Sequence, residues 1–327
     1  MRVLAMVTAY PPTHCAGSEV MVHSLLRPLV ARGHHVDVVL SRDTGRPYDL
    51  DGVHVHPYRG KGDPFEFIGD TDVIVCHLEN TRRATTIGNM TGVPVVQVLH
   101  NDNGHTATYV QRGGASLLVF NSDQMAAHFA PYQGRSIVVR PPVDPVEYET
   151  TPGDHVTLIN LSEDKGVATF YALAERLPER RFLGVVGAYG EQVIREDLPN
   201  VEILTHLPAD RMRDEVYART RILLMPSSHE SWGRTGIEAM SSGIPVIAHP
   251  TPGLREALGD AGTFCDRGDI DAWVAALTRL GDGRKWKPAS RKAKARALQL
   301  DPSPDLARWC EAIEGVARVR SPARIRH

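Results

Sequence analysis

Two glutamates, Glu230 and Glu238, stand with seven residues between them in the stretch Pro226-Ser-Ser-His-Glu-Ser-Trp-Gly-Arg-Thr-Gly-Ile-Glu-Ala-Met-Ser-Ser-Gly-Ile-Pro-Val-Ile247. The apolar run Ile222 to Met225 ends at Pro226, Arg234 to Ser242 is helix-compatible, Gly243 suits a left-handed stop, and Pro245 cannot continue a helix. A loop that leads a glycine into a helix N-terminus exposes unpaired N–H groups at the positive end of the helix dipole, which favours an anion. Carboxylates do not neutralise phosphate. Placed on either flank they accept hydrogen bonds from hydroxyls, so the stretch reads as a seat for a pyrophosphate between two polyols, the chemistry of a sugar nucleotide.

The elements that must position this stretch alternate strand and helix. Strands are expected at Val3 to Thr8, Val36 to Leu40, Val53 to His56, Val73 to Cys76, Val95 to Leu99 and Leu117 to Phe120, with a periodic helix from Val20 to Arg32. The first strand, loop, helix and second strand form a βαβ unit without Gly-x-Gly-x-x-Gly, which weakens a dinucleotide oxidoreductase reading. Prolines 141, 142, 145 and 152 with Gly153 mark residues 141–154 as a linker. Beyond it come a strand from Val156 to Leu161, a helix from Val167 to Arg176, strands Phe182 to Val186 and Val201 to Leu204, and a capped helix from Asp269 to Leu280.

The central stretch resembles glycosyltransferase family 4, whose signature is Glu-x-Phe-Gly-x-x-x-x-Glu-Ala-Met-Ala-x-Gly-x-Pro-Val-Ile; Trp232 stands where the phenylalanine is usual. The resemblance extends to Tyr10-Pro-Pro with Ala16-Gly17, to Gly92-Val-Pro-Val-Val-Gln-Val-Leu-His100, and to Lys165-Gly166. It implies a GT-B fold of two Rossmann-like, doubly wound domains facing a central cleft. Residues 1–145 are then the acceptor-side domain, 146–302 the nucleotide-sugar domain, and 303–327 a final helix crossing back to the first domain.

The implied reaction is transfer of a hexose from a nucleoside diphosphate sugar, UDP-sugar first and GDP-sugar second, to an acceptor hydroxyl with retention. Lys165 and backbone N–H groups near Gly233 to Gly236 would stabilise the leaving diphosphate. Glu230 would hold hydroxyls of the transferred sugar, Glu238 those of the ribose, and His100 would lie near the donor sugar. Gly17 would let the backbone approach the donor phosphate, while the backbone at His206 and Leu207 would pack beside the base. Ser231, Trp232, Gly233, Arg234 and Thr235 complete the expected donor-binding set. Asn160 falls where the family carries an arginine, and two readings of Arg234 stand side by side: it supplies the missing cation, or it is simply solvent-exposed. His14 and His105 are given structural roles.

Rival readings are a sugar-nucleotide epimerase or hydrolase of the same shape, and a non-catalytic nucleotide-sugar-binding protein. Asp-x-Asp occurs at Asp49/Asp51, Asp70/Asp72 and Asp269/Asp271, too often to mark a metal site, so no essential metal and no cofactor are expected. The four cysteines show no paired spacing and the net charge is −2, which suits a reducing cytoplasm and gives no global field for nucleic acid or anionic lipid. No apolar segment reaches membrane-spanning length. A soluble small molecule or saccharide is therefore the expected acceptor. The Lys/Arg-rich stretch from Arg284 to Arg296 is expected to be a solvated helix face, with contact to a nucleic acid, including a modified base as acceptor, the lesser alternative.

Overall fold

The computed structural model describes residues 1–42, 44–57, 65–132 and 134–318. The chain divides into two compact units, Met1–Pro142 with Pro302–His327, and Val143–Asp301. Each is built on one sheet whose central strands are buried on both faces, which explains why their sequences read as continuous Val/Ile/Leu runs.

In the first unit the strands are β1 (Arg2–Val7), β2 (His35–Leu40), β3 (Tyr48–Leu50), β4 (Val53–His56), β5 (Val73–His77), β6 (Val95–Leu99), β7 (Leu117–Phe120) and β8 (Ser136–Val138), in the order β3-β4-β2-β1-β5-β6-β7-β8. All pairs are parallel except β3 with β4, a hairpin closed by Asp51-Gly52. The order reverses at β1, so β1 and β5 part at their carboxyl ends, where open α/β sheets bind ligands. The helix Gly17–Ala31 packs Met21, Val22, Leu25, Leu26 and Leu29 onto this sheet. The helix Ser303–Arg318 joins the same core: Trp309 is fully buried, and its indole N–H donates to the Leu25 carbonyl at 2.6 Å. Residues 319–327, part of the expected terminal segment, lie outside the described residues.

In the second unit β9 (His155–Ile159), β10 (Phe182–Val185), β11 (Val201–Leu204), β12 (Thr220–Met225), β13 (Val246–Ala248) and β14 (Thr263–Phe264) run in the order β11-β10-β9-β12-β13-β14, all parallel. The direction of progression reverses between β9 and β12. The helices Val167–Arg176 and Ile270–Gly281 cover one face of this sheet, while Arg234–Ser241 and Gly283–Gln299 enclose a second cluster around Ile237, Met240, Ala293 and Ala297.

Three short strands, β3, β8 and β14, fall outside the sequence expectation. Runs of two or three residues carry no periodicity, and their pairing is decided by the neighbouring strand. The first helix starts at Gly17 rather than Val20, and a short helix, Pro145–Tyr148, capped by the Asp144 side chain, stands within the expected linker. Along Gly283–Gln299 the cations Arg284, Lys285, Lys287, Arg291, Lys292 and Lys294 are all exposed, with Lys294 paired to Glu149, while Ala293 and Ala297 face the core. No helix among the described residues is long and apolar enough to cross a membrane.

Candidate active site

The loop after β12 and the loop after β9 meet at the carboxyl edge of the second sheet. The Ser228 N–H donates to the Asp164 carbonyl at 2.8 Å. Gly166 has φ +87° and packs so closely on Pro226 that a Cβ there would lie 2.6 Å from the Pro226 carbonyl oxygen. This close approach brings the Lys165 ammonium onto the Glu230 carboxylate, which also accepts from the Ser227 hydroxyl at 3.0 Å. Lys165 is one-third exposed, leaving donor positions for a ligand. The Glu230 loop is backed by the turn after β13, His249 to Gly253. Thr251 Oγ1 donates to the Glu230 carbonyl at 3.4 Å, and a Cβ on Gly253 would lie 2.3 Å from that same oxygen.

Gly233, at φ +92°, hands the chain into the helix Arg234–Ser241, and no side chain caps that end. The Gly236 N–H is already bonded to the Gly233 carbonyl at 3.0 Å, so the anion-facing groups are fewer than the sequence suggests. Trp232 is buried, packed in the Ile237 and Leu254 cluster, while Ser231 and Thr235 are half-buried.

Glu238 and Arg234 form a buried pair one helical turn apart, with Arg234 Nε donating to Glu238 Oε1 at 2.6 Å. The Tyr217 hydroxyl donates to Glu238 Oε2 at 2.6 Å, and another Arg234 nitrogen donates to the Tyr148 hydroxyl at 3.1 Å. Burial disfavours the Arg234 charge, but the Glu238 carboxylate and the Tyr148 hydroxyl outweigh it and raise the pKa. Burial, reinforced by Glu238, pushes Tyr148 up to about 12 and holds Tyr217 well above its usual value. This corrects the expectation for Arg234. Its charge is balanced by Glu238 rather than held ready for a diphosphate, because the i, i+4 spacing that links 234 to 238 makes them helix neighbours.

Asn160 has φ +72°, a left-handed conformation that asparagine tolerates better than arginine. Its Oδ1 accepts from the Ser162 N–H at 3.1 Å and from Gln192 Nε2 at 2.9 Å; Gln192 in turn accepts from the Leu161 and Gly187 N–H groups at 2.8 Å each. The side chain is thus a loop clamp. His206 is exposed on the loop after β11, where Leu207 packs beside Leu183, Val185 and Val216.

Two expected residues stand in the first unit. Gly17 opens the first helix, with nothing within 4 Å of where a Cβ would be. His100 follows β6, and its ring meets the edge of His77 at a centroid separation of 5.1 Å. Burial pushes both imidazoles down, His100 further because His77 stands beside it. His77 was missed, although it closes the run Val73-Ile-Val-Cys-His just as His100 closes its own. At the same edge a cavity of about 420 Å³ is lined by Arg42, Asn103, His105 and Tyr109, among others. The Asp-x-Asp aspartates have separate partners. Asp49 pairs with His54, Asp51 with His23, Asp72 accepts from the Arg2 N–H, and Asp269 caps the helix Ile270–Gly281.

Two parallel doubly wound sheets, each with a ligand edge, define a GT-B protein. The solved structures that superpose on it agree: sucrose-phosphate synthase from Thermosynechococcus elongatus (TM-score 0.78, 15% identity, 98% of this chain and 100% of that one) and Anabaena Alr3699/HepE in complex with UDP-glucose (TM-score 0.77, 20% identity, 96% and 100%). Residues 155–282 match the family Glycosyl transferases group 1. Curated relatives include an O-antigen chain mannosyltransferase B of Escherichia coli, 35% identical over 26% of this chain and 23% of its own length, and a D-inositol 3-phosphate glycosyltransferase of Rhodococcus jostii (strain RHA1), 31% identical over 49% and 42%. The chain thus spans less than half the length of either. Over residues 155–282 the chain is therefore similar to this group of glycosyltransferases.

Proposed function

We propose that the protein is a glycosyltransferase that moves a hexose from a nucleoside diphosphate sugar, UDP-sugar first, to an acceptor hydroxyl. The observation that carries this is the meeting of Lys165 and Glu230 at a loop held by Gly166, Pro226 and Gly253, inside the stretch that matches the family. A fixed cation beside a fixed carboxylate suits a diphosphate leaving from a polyhydroxylated sugar. Lys165 stabilises the developing phosphate charge, and Glu230 accepts from sugar hydroxyls. The UDP-glucose complex of Alr3699/HepE supports a uridine nucleotide as the first donor to try.

Retention and independence of metal belong to this reading. The attacking hydroxyl then approaches the face that the diphosphate leaves, and a phosphate oxygen takes its proton. The cavity bounded by Arg42, Asn103, His105 and Tyr109 offers hydrogen bonds and an aromatic face, which fits a saccharide or another small polyol as acceptor. The test is a thermal-shift screen of UDP-, GDP- and ADP-sugars, followed by product analysis with a saccharide panel with and without EDTA. Stabilisation by a UDP-sugar and an EDTA-insensitive product retaining the donor's anomeric configuration are expected. Hydrolysis or epimerisation without acceptor, or loss of transfer in EDTA restored by manganese, would overturn the corresponding part.

A further inference from the structure

The segment between β1 and the first helix carries Gly17, and its conformation is set from outside itself. We propose that Tyr10, His23 and Asp51 form a hydrogen-bonded relay that holds this loop in place, making them positioning residues for the transfer reaction. The idea rests on the transferase reading above and on the role that the family resemblance implies for Gly17, letting the backbone approach the donor phosphate.

The relay begins in the β3–β4 hairpin. Leu50-Asp51-Gly52-Val53 is a two-residue turn with positive φ at both central positions, +51° and +78°, the conformation for which Asp-Gly is well suited. The turn lies against the first helix, where a Cβ on Gly52 would stand 2.7 Å from Val30 Cγ1. Residues 23, 27 and 30 share one helical face, so Asp51 meets both His23 Nε2, at 3.0 Å, and Arg27 Nε, at 3.2 Å. The other ring nitrogen, His23 Nδ1, lies 2.8 Å from the hydroxyl of Tyr10, which is fully buried.

Proton placement follows from the partners. An ionised Asp51 only accepts, so His23 Nε2 carries the hydrogen, Nδ1 of the neutral ring accepts, and the Tyr10 O–H donates. The hairpin holds the loop a second time, through the Tyr48 hydroxyl donating to the Pro11 carbonyl at 2.7 Å. Within the loop, the Thr13 hydroxyl and the His14 N–H both donate to the Tyr10 carbonyl, at 3.0 and 3.3 Å. Tyr10 and Pro11 are thereby fixed, and the chain reaches Gly17 within six residues of Pro11.

Tyr10, Asp51, Arg27 and Tyr48 are the ionisable groups facing this relay. Burial pushes the His23 pKa down and Asp51 only partly offsets it, so the ring is neutral at neutral pH. Protonating it would put a second hydrogen on Nδ1, opposite a phenol whose own hydrogen has no route to water. The bond pattern then reverses and the loop loses an anchor.

The experiment follows amide exchange of residues 13–19 from about pH 5 to 8, together with initial rates using UDP-glucose. The wild-type protein is compared with His23→Gln and His23→Phe. A glutamine amide presents one acceptor and one donor at the imidazole's spacing and does not titrate. Loop protection and rate in the wild type are expected to fall together as the pH drops below the range of a free imidazole. His23→Gln restores neutral-pH behaviour and removes that fall. His23→Phe speeds loop exchange about tenfold at every pH and lowers turnover. Unaltered exchange in His23→Phe, or His23→Gln titrating like the wild type, overturns the relay; should His23→Phe fail to fold, the glutamine arm decides alone. Loop exchange that follows the relay in a protein that transfers no sugar would retain the relay and remove the transferase reading instead.

Discussion

Lys165 and Arg234 are both cations beside signature glutamates, yet their surroundings assign them different work. Lys165 is one-third exposed and contacts Glu230 at a loop edge, so its worth lies in what it offers a ligand. Lys165→Ala is expected to weaken UDP-glucose binding about tenfold or more, in line with loss of a charge-assisted bond. The unfolding midpoint should barely change; calorimetric titration and urea unfolding report the two quantities separately. Arg234 is 11% exposed and its carboxylate partner 7%. Arg234→Ala would leave Glu238 buried without its cation, and a loss of about 3 kcal/mol is expected. A second change, Glu238→Gln, should recover part of that loss by removing the stranded charge. Urea unfolding of the single and double variants checks this, and additive losses would show that the two side chains do not act as a pair.

The donor-side loops are held by glycines more than by side chains. At Gly166 the positive φ and the 2.6 Å approach to Pro226 act together, so Gly166→Ala is expected to cost about 2 kcal/mol or more and to abolish the thermal shift given by a UDP-sugar. Glu230 and Lys165 would both remain in such a protein, so retained binding would show that loop geometry matters less than side-chain identity. In the first unit, β1, β2 and β4 gather Arg2, His35 and His56 around Asp37, whose carboxylate is 8% exposed. Burial opposes ionisation of Asp37, but the His56 hydrogen bond with the His35 and Arg2 charges more than compensates and lowers its pKa. A depressed carboxylate adds stability that is complete above its unfolded pKa of about 3.9 and is lost as pH falls towards the folded value. Wild-type urea midpoints should therefore drop between about pH 5 and 3 more steeply than those of Asp37→Asn.

Charge is unevenly shared along the chain. The helix Gly283–Gln299 holds a run of exposed cations in a protein whose net charge is −2. Most of those cations point outward; Arg284 pairs with Asp282 and Lys294 with Glu149, both outside the helix. Weak retention on an anionic resin that disappears as salt rises past the point where the Debye length is about 8 Å is the expected consequence. Donor binding is a property of the folded protein as a whole. A UDP-sugar at about a hundred times its dissociation constant should add roughly 2.7 kcal/mol to unfolding, and a tenfold weaker Lys165→Ala protein should keep only about half of that gain under the same conditions.

By itself, the amino-acid order determined the alternation of buried strands and helices, the glycine at the mouth of a helix, and the spacing of Glu230 and Glu238, because these depend on neighbours within a few residues. It also carried the Asp-Gly hairpin signal, which went unread because β3 is only three residues long. What the tertiary structure alone decided is who faces whom. It gave Glu230 to Lys165, Glu238 to Arg234 and Tyr217, Asn160 to Gln192, and His23 to both Tyr10 and Asp51. Apart from the helix pair 234/238, these contacts join distant or differently folded segments, and a side chain's charge acquires a function only when packing fixes which partner satisfies it and how much of it is left for a ligand.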